Sequence, residues 1–345
     1  MSCPHISQEV RTLKEVKLYP LLFEPVFKEK LWGGRKLEKI LNKKLPPEIS
    51  IGESWEISDH PDGPSIIANG HFKNMTLSEL KNMLGKTLMG NKYVERYHDK
   101  RFPLLVKFID SEDLLSVQVH PDDEYTRKNN LLDSGKTEAW YVIWADNDAF
   151  LYKGFNKTLS KEEFVKALSE KKLSRYLNKV PVKTGDIIFL PPGTVHAIGK
   201  GIIICEVQQS SNITYRIYDW DRVDKNGKPR ELHLKEALEV MNLSKELKGK
   251  EEKKLLSEKK EYKKYLLIEN NYFIMQELVI FETTSFKFSP DYFKMMMIIE
   301  GNGNFLYDNE KLPYEKGNSF LIPAYLKELT LVPSQNTKIV YVENR

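Results

Sequence analysis

The chain carries VKTGDIIFLPPGTVHAI at residues 182–198 and echoes it with YEKGNSFLIPAYLKELTL at residues 314–331. Each stretch has a turn with a glycine, then an apolar strand, a proline and a second strand. A pattern that returns within one chain indicates internal duplication of a structural module. We therefore predict two related units built from β-strands.

Short β-prone segments separated by Gly, Pro, Asn and Asp continue on both sides of these stretches, which favours an antiparallel sandwich or barrel. Helical periodicity interrupts this pattern at about 75–98 and again at about 160–178, where Ser160 and Glu163 have the spacing of a capping box. A third helix is predicted at about 231–243. The sequence therefore predicts a mainly β protein with a small helical portion packed beside the sheets.

Composition narrows the class of protein. The chain has 345 residues, of which 41% are hydrophobic and 30% are charged, as is typical of a globular protein with two or three structural units. Its apolar runs are far shorter than the ~20 residues that cross a bilayer, and the N-terminal residues lack the apolar region of a secretion signal. We expect a cytoplasmic protein with no membrane partner.

The charge distribution and the cysteine content argue against a nucleic-acid-binding protein and against cysteine-based sites. The net charge of +4 is spread along the chain, with Lys and Glu interspersed, so a nucleic-acid partner is not expected. The two cysteines, Cys3 and Cys205, can form neither a disulfide framework nor a cysteine-based zinc site. A metal ion would need imidazole, carboxylate or amide ligands.

Four polar residues in apolar surroundings are candidate metal ligands. Gln118 and His120 occupy alternate positions of the strand LLSVQVHPD and so project from one face. Glu138 begins another apolar strand, where an unpaired carboxylate would be costly. His196 follows a Pro-Pro-Gly turn. Two imidazoles and a carboxylate with an open position are typical of a catalytic zinc site, whereas a lone strand histidine is more often structural.

Several motifs occur in an order that resembles a known enzyme family: QVHPDD, GKTEAWY, PPGTVHAIG and EVQQSSNITYRIYDWDR, preceded by PVFKEKLWGG and GESWEISDHPDGPS. The pattern of turn glycine, strand, Pro-Pro-Gly and His resembles the second signature motif of cupins. The ordered set resembles type I mannose-6-phosphate isomerases, particularly their short bacterial form. The resemblance extends from about Leu18 to Leu243, and the remainder fits the second cupin of that family.

The resemblance implies a fold, a metal and a set of site residues. The fold would be two cupin, or jelly-roll-like, β domains. One zinc ion per chain would be bound by the ligand set of Gln118, His120, Glu138 and His196. Arg216 and Lys136 would be catalytic residues, and the substrate would contact Lys136, Ser116 and Trp32.

One position departs from the larger eukaryotic relatives. They have Ser-Asp-Asn-Thr where this chain has SSNIT, so that Asn212 replaces a carboxylate. An acid–base role for that position is therefore not expected here. Lys107 and Glu53 flank the same motifs and are further candidates for substrate contact.

The same resemblance gives a division of the chain. Residues 1–245 would form the catalytic cupin domain with its inserted helices, and residues 246–264 a charged connector. Residues 265–345 would form a metal-free, cupin-like C-terminal domain completed by N-terminal strands.

The expected function is the zinc-dependent interconversion of D-mannose 6-phosphate and D-fructose 6-phosphate through a cis-enediol. The general base stays open among His120, Glu138 and a water on the metal. Two alternatives remain: a two-cupin metal enzyme of another class, such as a dioxygenase, whose iron would also use His and carboxylate ligands, and a non-catalytic sugar-binding cupin.

Overall fold

The computed structural model describes residues 17–97, 101–224 and 226–345. Cys3, residue 98 of the first predicted helix and the rest of the N-terminal residues 1–16, which the secretion-signal prediction concerns, lie outside the described residues. Among the residues that are described, none of the helices has the length and apolar character needed to span a membrane.

The chain is mainly β, as predicted. Its strands, in chain order, are β1 (Leu21–Glu24), β2 (Val26–Gly34), β3 (Ile51–Ile57), β4 (Ile66–Ile67), β5 (Leu104–Ser111), β6 (Val117–Val119), β7 (Glu138–Ala145), β8 (Phe150–Phe155), β9 (Leu177–Pro181), β10 (Ile187–Leu190), β11 (His196–Ile198), β12 (Ile202–Gln209), β13 (Tyr215–Tyr218), β14 (Lys254–Glu258), β15 (Tyr262–Glu269), β16 (Phe273–Ile280), β17 (Thr284–Lys287), β18 (Lys294–Glu300), β19 (Asn302–Tyr307), β20 (Glu310–Glu315), β21 (Ser319–Ile322), β22 (Glu328–Pro333) and β23 (Thr337–Asn344).

The helices are short, and five of the seven that the structure describes lie in the three regions where a helix is predicted; those at Lys36–Leu41 and Asp123–Lys128 are not predicted by the sequence. In chain order, the helices are α1 (Lys36–Leu41), α2 (Leu77–Leu84), α3 (Lys86–Met89), α4 (Asn91–Tyr97), α5 (Asp123–Lys128), α6 (Lys161–Ser169) and α7 (Leu234–Val240), with a 3₁₀ turn at Leu173–Arg175. Helix α6 begins with the capping box that the sequence predicts: the Ser160 side chain accepts from the Glu163 amide, and the Glu163 side chain accepts from the Ser160 amide. Two backbone amides at the start of the helix are thereby satisfied.

Four sheets form two jelly-roll-like sandwiches. In the first, a six-stranded sheet of order β10-β7-β12-β5-β3-β2 faces a five-stranded sheet of order β13-β6-β11-β8-β9. In the second, an eight-stranded sheet of order β14-β15-β16-β23-β18-β21-β1-β4 faces a four-stranded sheet of order β17-β22-β19-β20. The N-terminal strand β1 pairs with β21, so the start of the described chain joins the C-terminal sandwich.

The repeated sequence pattern has the same local structure in both sandwiches. Gly185 and Gly317 precede the first strand of each repeat and have φ of 89° and 90°, a region that favours glycine. The first strand lies in the larger sheet and the second in the smaller sheet, as β10 and β11 in one case and β21 and β22 in the other.

The two sandwiches pack back to back through the outer faces of their larger sheets. One continuous apolar cluster joins Phe108 and Tyr141 of the six-stranded sheet to Met275 and Met297 of the eight-stranded sheet. A separate cluster containing Trp140 and other residues fills the interior of the first sandwich. The six-stranded sheet is therefore fixed on one face by the C-terminal domain, and its other face is directed to the interior of the first sandwich.

The segment predicted as a charged connector at 246–264 is not a solvated linker throughout. The Glu246 and Glu251 amides donate to Phe155 O and Ile187 O of the first sandwich, each at 2.8 Å. Strand β14 then adds to the edge of the eight-stranded sheet by pairing with β15. The domain boundaries themselves stay a prediction.

Candidate active site and metal centre

Strand pairing brings three of the predicted site residues into one row. Gln118 lies opposite His196 in the pairing of β6 with β11, and opposite Arg216 in the pairing of β6 with β13. Directly paired residues of antiparallel strands project from the same face of a sheet. The amide, the imidazole and the guanidinium are therefore neighbours on the inner face of the five-stranded sheet.

Glu138 reaches the same place from the opposite sheet. Its Oε1 lies 3.1 Å from His196 Nε2 and 3.7 Å from His120 Nε2. These three ligand atoms all lie within 4.8 Å of one another, and the three side chains are buried. Gln118 Nε2 lies 3.3 Å from His196 Nε2, so the fourth predicted ligand is also adjacent.

Both imidazoles are oriented by the backbone. His120 Nδ1 lies 2.8 Å from Ile213 O, and His196 Nδ1 lies 2.9 Å from Thr194 O. A carbonyl oxygen can only accept, so each Nδ1 carries the proton and each Nε2 is left with an unshared electron pair. Such second hydrogen bonds fix the tautomer of metal-binding histidines in proteins.

The ionisation of this cluster is set by burial. Burial lowers the pKa of His196 to about 4 and that of His120 well below its usual value, so both rings are neutral near pH 7. Burial raises the pKa of Glu138 to about 7 despite the nearby Lys136 ammonium. The cluster therefore presents lone pairs and a carboxylate whose charge a cation would stabilise.

The Glu138 oxygens show why a cation fits here. Both are buried, and no backbone amide or neutral side-chain donor among the described residues satisfies them. Lys136 Nζ lies 3.0 Å from Glu138 Oε2 and 3.1 Å from His120 Nε2, so an ammonium ion is already attracted to these ligand atoms. Two neutral imidazoles and a buried carboxylate match the ligand chemistry of a divalent metal such as zinc.

A cavity of about 300 Å³ opens beside the cluster. Gln118 and all four residues predicted to be catalytic or to contact substrate line it: Arg216, Lys136, Ser116 and Trp32. The cationic residues in its lining are Lys30, Lys107, Lys136, Arg216 and Arg230.

Acidic residues in the same lining are paired with these cations. Glu53 Oε1 lies 3.0 Å from Lys30 Nζ, and Glu206 Oε1 lies 3.3 Å from Lys107 Nζ. Burial alone would raise the pKa of Glu53, but Lys107 and Lys30 lower it to about 2. Because the cations outnumber Glu53 and Glu206, the cavity favours an anionic ligand.

Asn212 lines the cavity and is held in place. Its side-chain amide donates to Asp62 Oδ2 at 2.6 Å, and its backbone amide donates to Asp133 Oδ2 at 2.8 Å. His60 and Arg101 also contact Asp133. Asn212 therefore helps to organise the rim without offering an ionisable group.

Comparison with known proteins gives the family. Residues 21–170 match the catalytic domain of type I phosphomannose isomerases, and residues 263–342 match the cupin domain of mannose-6-phosphate isomerases. The mannose-6-phosphate isomerase ManA of Bacillus subtilis is 39% identical over 318 residues, which are 90% of this chain and 95% of that protein. The chain belongs to the type I phosphomannose isomerases.

Solved structures agree with this assignment. A mannose 6-phosphate isomerase crystal structure from Bacillus subtilis superposes with a TM-score of 0.85 at 34% identity, covering 94% of this chain and 99% of that one. A mannose 6-phosphate isomerase bound with zinc and yttrium has a TM-score of 0.73 at 15% identity, with the same coverage of both chains. At that identity, the second match shows a shared fold only.

Sequence reasoning missed three charged residues that line this cavity: Glu206, Lys30 and Arg230. Glu206 gave a signal, because it is an acid within the apolar run IIICEVQQ. Its Oε2 accepts from Trp140 Nε1 at 2.8 Å, while Oε1 faces Lys107. Lys30 and Arg230 gave no comparable signal, because each lies in a polar segment whose orientation only the folded chain determines.

Proposed function

We propose that the chain interconverts D-mannose 6-phosphate and D-fructose 6-phosphate, with one zinc ion per chain and a cis-enediol intermediate. The observation that carries this proposal is the convergence of His120, Glu138 and His196 beside a cationic cavity. Membership of the type I phosphomannose isomerases supports the substrate, and the zinc-bound member of the same fold supports the metal. A cytoplasmic location without nucleic-acid or membrane partners stays a prediction from the sequence.

The protein ligands would be His120 Nε2, His196 Nε2, Glu138 and Gln118. Ligand atoms of the first three already lie within 4.8 Å of one another. Gln118 would use its amide oxygen, which a half-turn of the amide would place where Nε2 now lies, 3.3 Å from His196. Zinc, when bound, supplies a Lewis acid that favours negative charge on the sugar oxygens.

The cavity residues would hold and orient the sugar phosphate. A phosphate dianion favours the cationic side chains, and Arg can bind oxyanions through two parallel N–H groups. Ser116 and Trp32 are 3% and 4% exposed, so they would offer a hydroxyl and an apolar wall without loss of much side-chain freedom.

Moving a proton between C1 and C2 places negative charge on the C1 and C2 oxygens. Arg216 and Lys136 are the donors that we assign to that charge. Burial alone would lower the pKa of Lys136, but Glu138 and Glu206 outweigh it and raise the pKa, so the side chain is an ammonium at neutral pH. Fixed donors aimed at developing charge are among the largest contributions to enzymatic rate.

A coupled assay that measures fructose 6-phosphate formed from mannose 6-phosphate tests substrate and reaction together. We expect about one zinc per purified chain, loss of turnover on chelation and recovery when zinc is restored. A chain that contains iron, consumes dioxygen and leaves mannose 6-phosphate unchanged would overturn the proposal. A chain that binds the sugar phosphate without converting it would show a binding protein instead.

Glu138→Gln tests the metal centre directly, because it removes the charge and keeps the shape. We expect zinc content to fall well below one per chain and turnover to fall with it. Glu258→Gln, at a half-exposed carboxylate on edge strand β14, is the matched control and should retain both. Full zinc occupancy in Glu138→Gln would exclude this carboxylate as a ligand.

A further inference from the structure

The short segment that carries Lys136 is held by hydrogen bonds from three consecutive backbone amides. The Gly135 amide donates to Asp123 Oδ1 at 2.8 Å, and the Lys136 amide donates to Pro121 O at 2.9 Å. The Thr137 amide donates to Gln209 Oε1 at 2.9 Å. Glu138 is the next residue, so the same contacts position both Lys136 and the carboxylate of the metal centre.

Gly135 shows how closely this segment is packed. A Cβ at this position would lie 2.4 Å from Asp122 C and 2.4 Å from Asp123 N, closer than real Cβ atoms approach backbone. The segment therefore lies directly against the start of helix α5, and any displacement of Asp123 would be transmitted to Gly135.

The C-terminal domain reaches this segment through a tyrosine. Tyr272, in the turn between β15 and β16, donates its hydroxyl to Asp123 Oδ2 at 2.8 Å. Gln209 Nε2 donates to both oxygens of the same carboxylate, at 3.1 and 3.2 Å. The turn itself is fixed, because Asn270 Oδ1 accepts from the Tyr272 amide at 2.8 Å.

We propose that Asp123 and Tyr272 are positioning residues for catalysis: the C-terminal domain, through the Tyr272 hydroxyl and the Asp123 carboxylate, sets the position of Lys136 and Glu138. Neither residue is among the described residues that line the active-site cavity, so each acts through the 135–137 backbone. The inference rests on the isomerase function proposed above.

Small displacements matter at this place. Lys136 Nζ lies 3.0 Å from Glu138 Oε2 and 3.1 Å from His120 Nε2, so a shift of the 135–137 backbone changes two contacts of the metal centre at once. Misplacement of a catalytic group by about 1 Å can cost roughly a hundredfold in rate. A link between the domains that fixes this backbone would therefore affect turnover more than substrate affinity.

Tyr272→Phe tests the proposal with the smallest change, the loss of one hydroxyl. We expect kcat for mannose 6-phosphate to fall roughly fivefold, the factor that corresponds to one hydrogen bond, with KM changed less than about twofold. Asp123→Ala should lower kcat roughly a hundredfold. Asp123→Asn keeps one oxygen for the Gly135 amide, so its loss in kcat should lie between those of Tyr272→Phe and Asp123→Ala. Tyr325→Phe is the matched control, because it removes a hydroxyl that donates to Asn91 at 2.7 Å, and it should keep wild-type kcat.

Amide hydrogen exchange of residues 135–138 gives a readout that does not require isomerase activity. Exchange there should be faster in Tyr272→Phe than in wild type and unchanged in Tyr325→Phe. Wild-type exchange and wild-type kcat in Tyr272→Phe would overturn the inference, even if Asp123→Ala fails to fold. A wild-type chain without isomerase activity would instead overturn the proposed function, and exchange would still decide whether Tyr272 positions this segment.

Discussion

Replacement of Arg216 by alanine is the sharpest test of the proposed chemistry. Arg216 lies beside Gln118 in the strand pairing and lines the cavity next to the metal centre. One guanidinium nitrogen, Nη1, donates to Glu231 O at 2.8 Å, whereas the buried Nε has no hydrogen-bond partner among the described residues. A buried donor without a partner costs free energy in the folded protein.

The size of the effect follows from this placement. Burial lowers the pKa of Arg216 from its usual value, but an arginine stays protonated near neutral pH. Removing one such donor from developing oxyanion charge costs about 2.7–4 kcal/mol, which is roughly a 100- to 1,000-fold loss in kcat. If Arg216 bound only the phosphate, Arg216→Ala would raise KM and leave kcat nearly unchanged.

Steady-state kinetics with mannose 6-phosphate should therefore show the loss in kcat, at unchanged zinc content. Arg216→Lys keeps the charge without the planar set of donors and should recover only part of the activity. Arg127→Ala, on the exposed face of helix α5, controls for the loss of one arginine. Wild-type kcat in Arg216→Ala would refute the assignment of this side chain to the enediolate.

Two further predictions concern stability. Glu277→Gln should destabilise the contact between the domains by about 1.5–3 kcal/mol, because the buried Glu277 carboxylate accepts from Tyr141 and pairs with Lys253; an unchanged thermal midpoint would contradict this. Asp110→Asn should raise the thermal midpoint above pH 6 and change it little near pH 4, because burial raises the pKa of Asp110 from 3.8 to about 6. Between pH 3.8 and about 6 the folded state thus retains a proton on Asp110 that the unfolded state releases, and up to about 3 kcal/mol of stability is lost as pH rises through this range. A difference in thermal midpoint between Asp110→Asn and wild type that does not vary with pH would refute this prediction.

The metal centre could be anticipated because strand alternation is a local property. Gln118 and His120 were placed on one face from their spacing alone, and in the structure Gln118 lies 3.3 Å from His196 while His120 lies 3.7 Å from Glu138. Glu138 was found because a carboxylate at the start of an apolar strand requires a partner. Each signal lies within a few residues of the chain.

Contacts between remote segments could not be anticipated in the same way. Asp123 and Tyr272 are 149 positions apart, and neither has a local pattern that suggests the other. The tract at 246–264 was interpreted as a solvated connector from its charge content. In the structure, however, Lys253 pairs with the buried Glu277 and lies over the Tyr141 ring. Composition reports how many charges a segment has but not which of them tertiary packing will pair.

The repeated pattern explains why the two sandwiches have different roles on one scaffold. This pattern of a turn glycine, a strand, a proline and a second strand determines the course of the backbone. The side chains that point into each sandwich can then differ between the two copies. Eleven residues after Gly185 the first copy has His196, whereas eleven residues after Gly317 the second copy has the exposed Glu328. Phe305 and Phe320 fill the interior of the second copy instead. Because that interior is packed with apolar side chains, we infer that the second copy contributes through its outer face and its turns, where Tyr272 can affect the chemistry of the first.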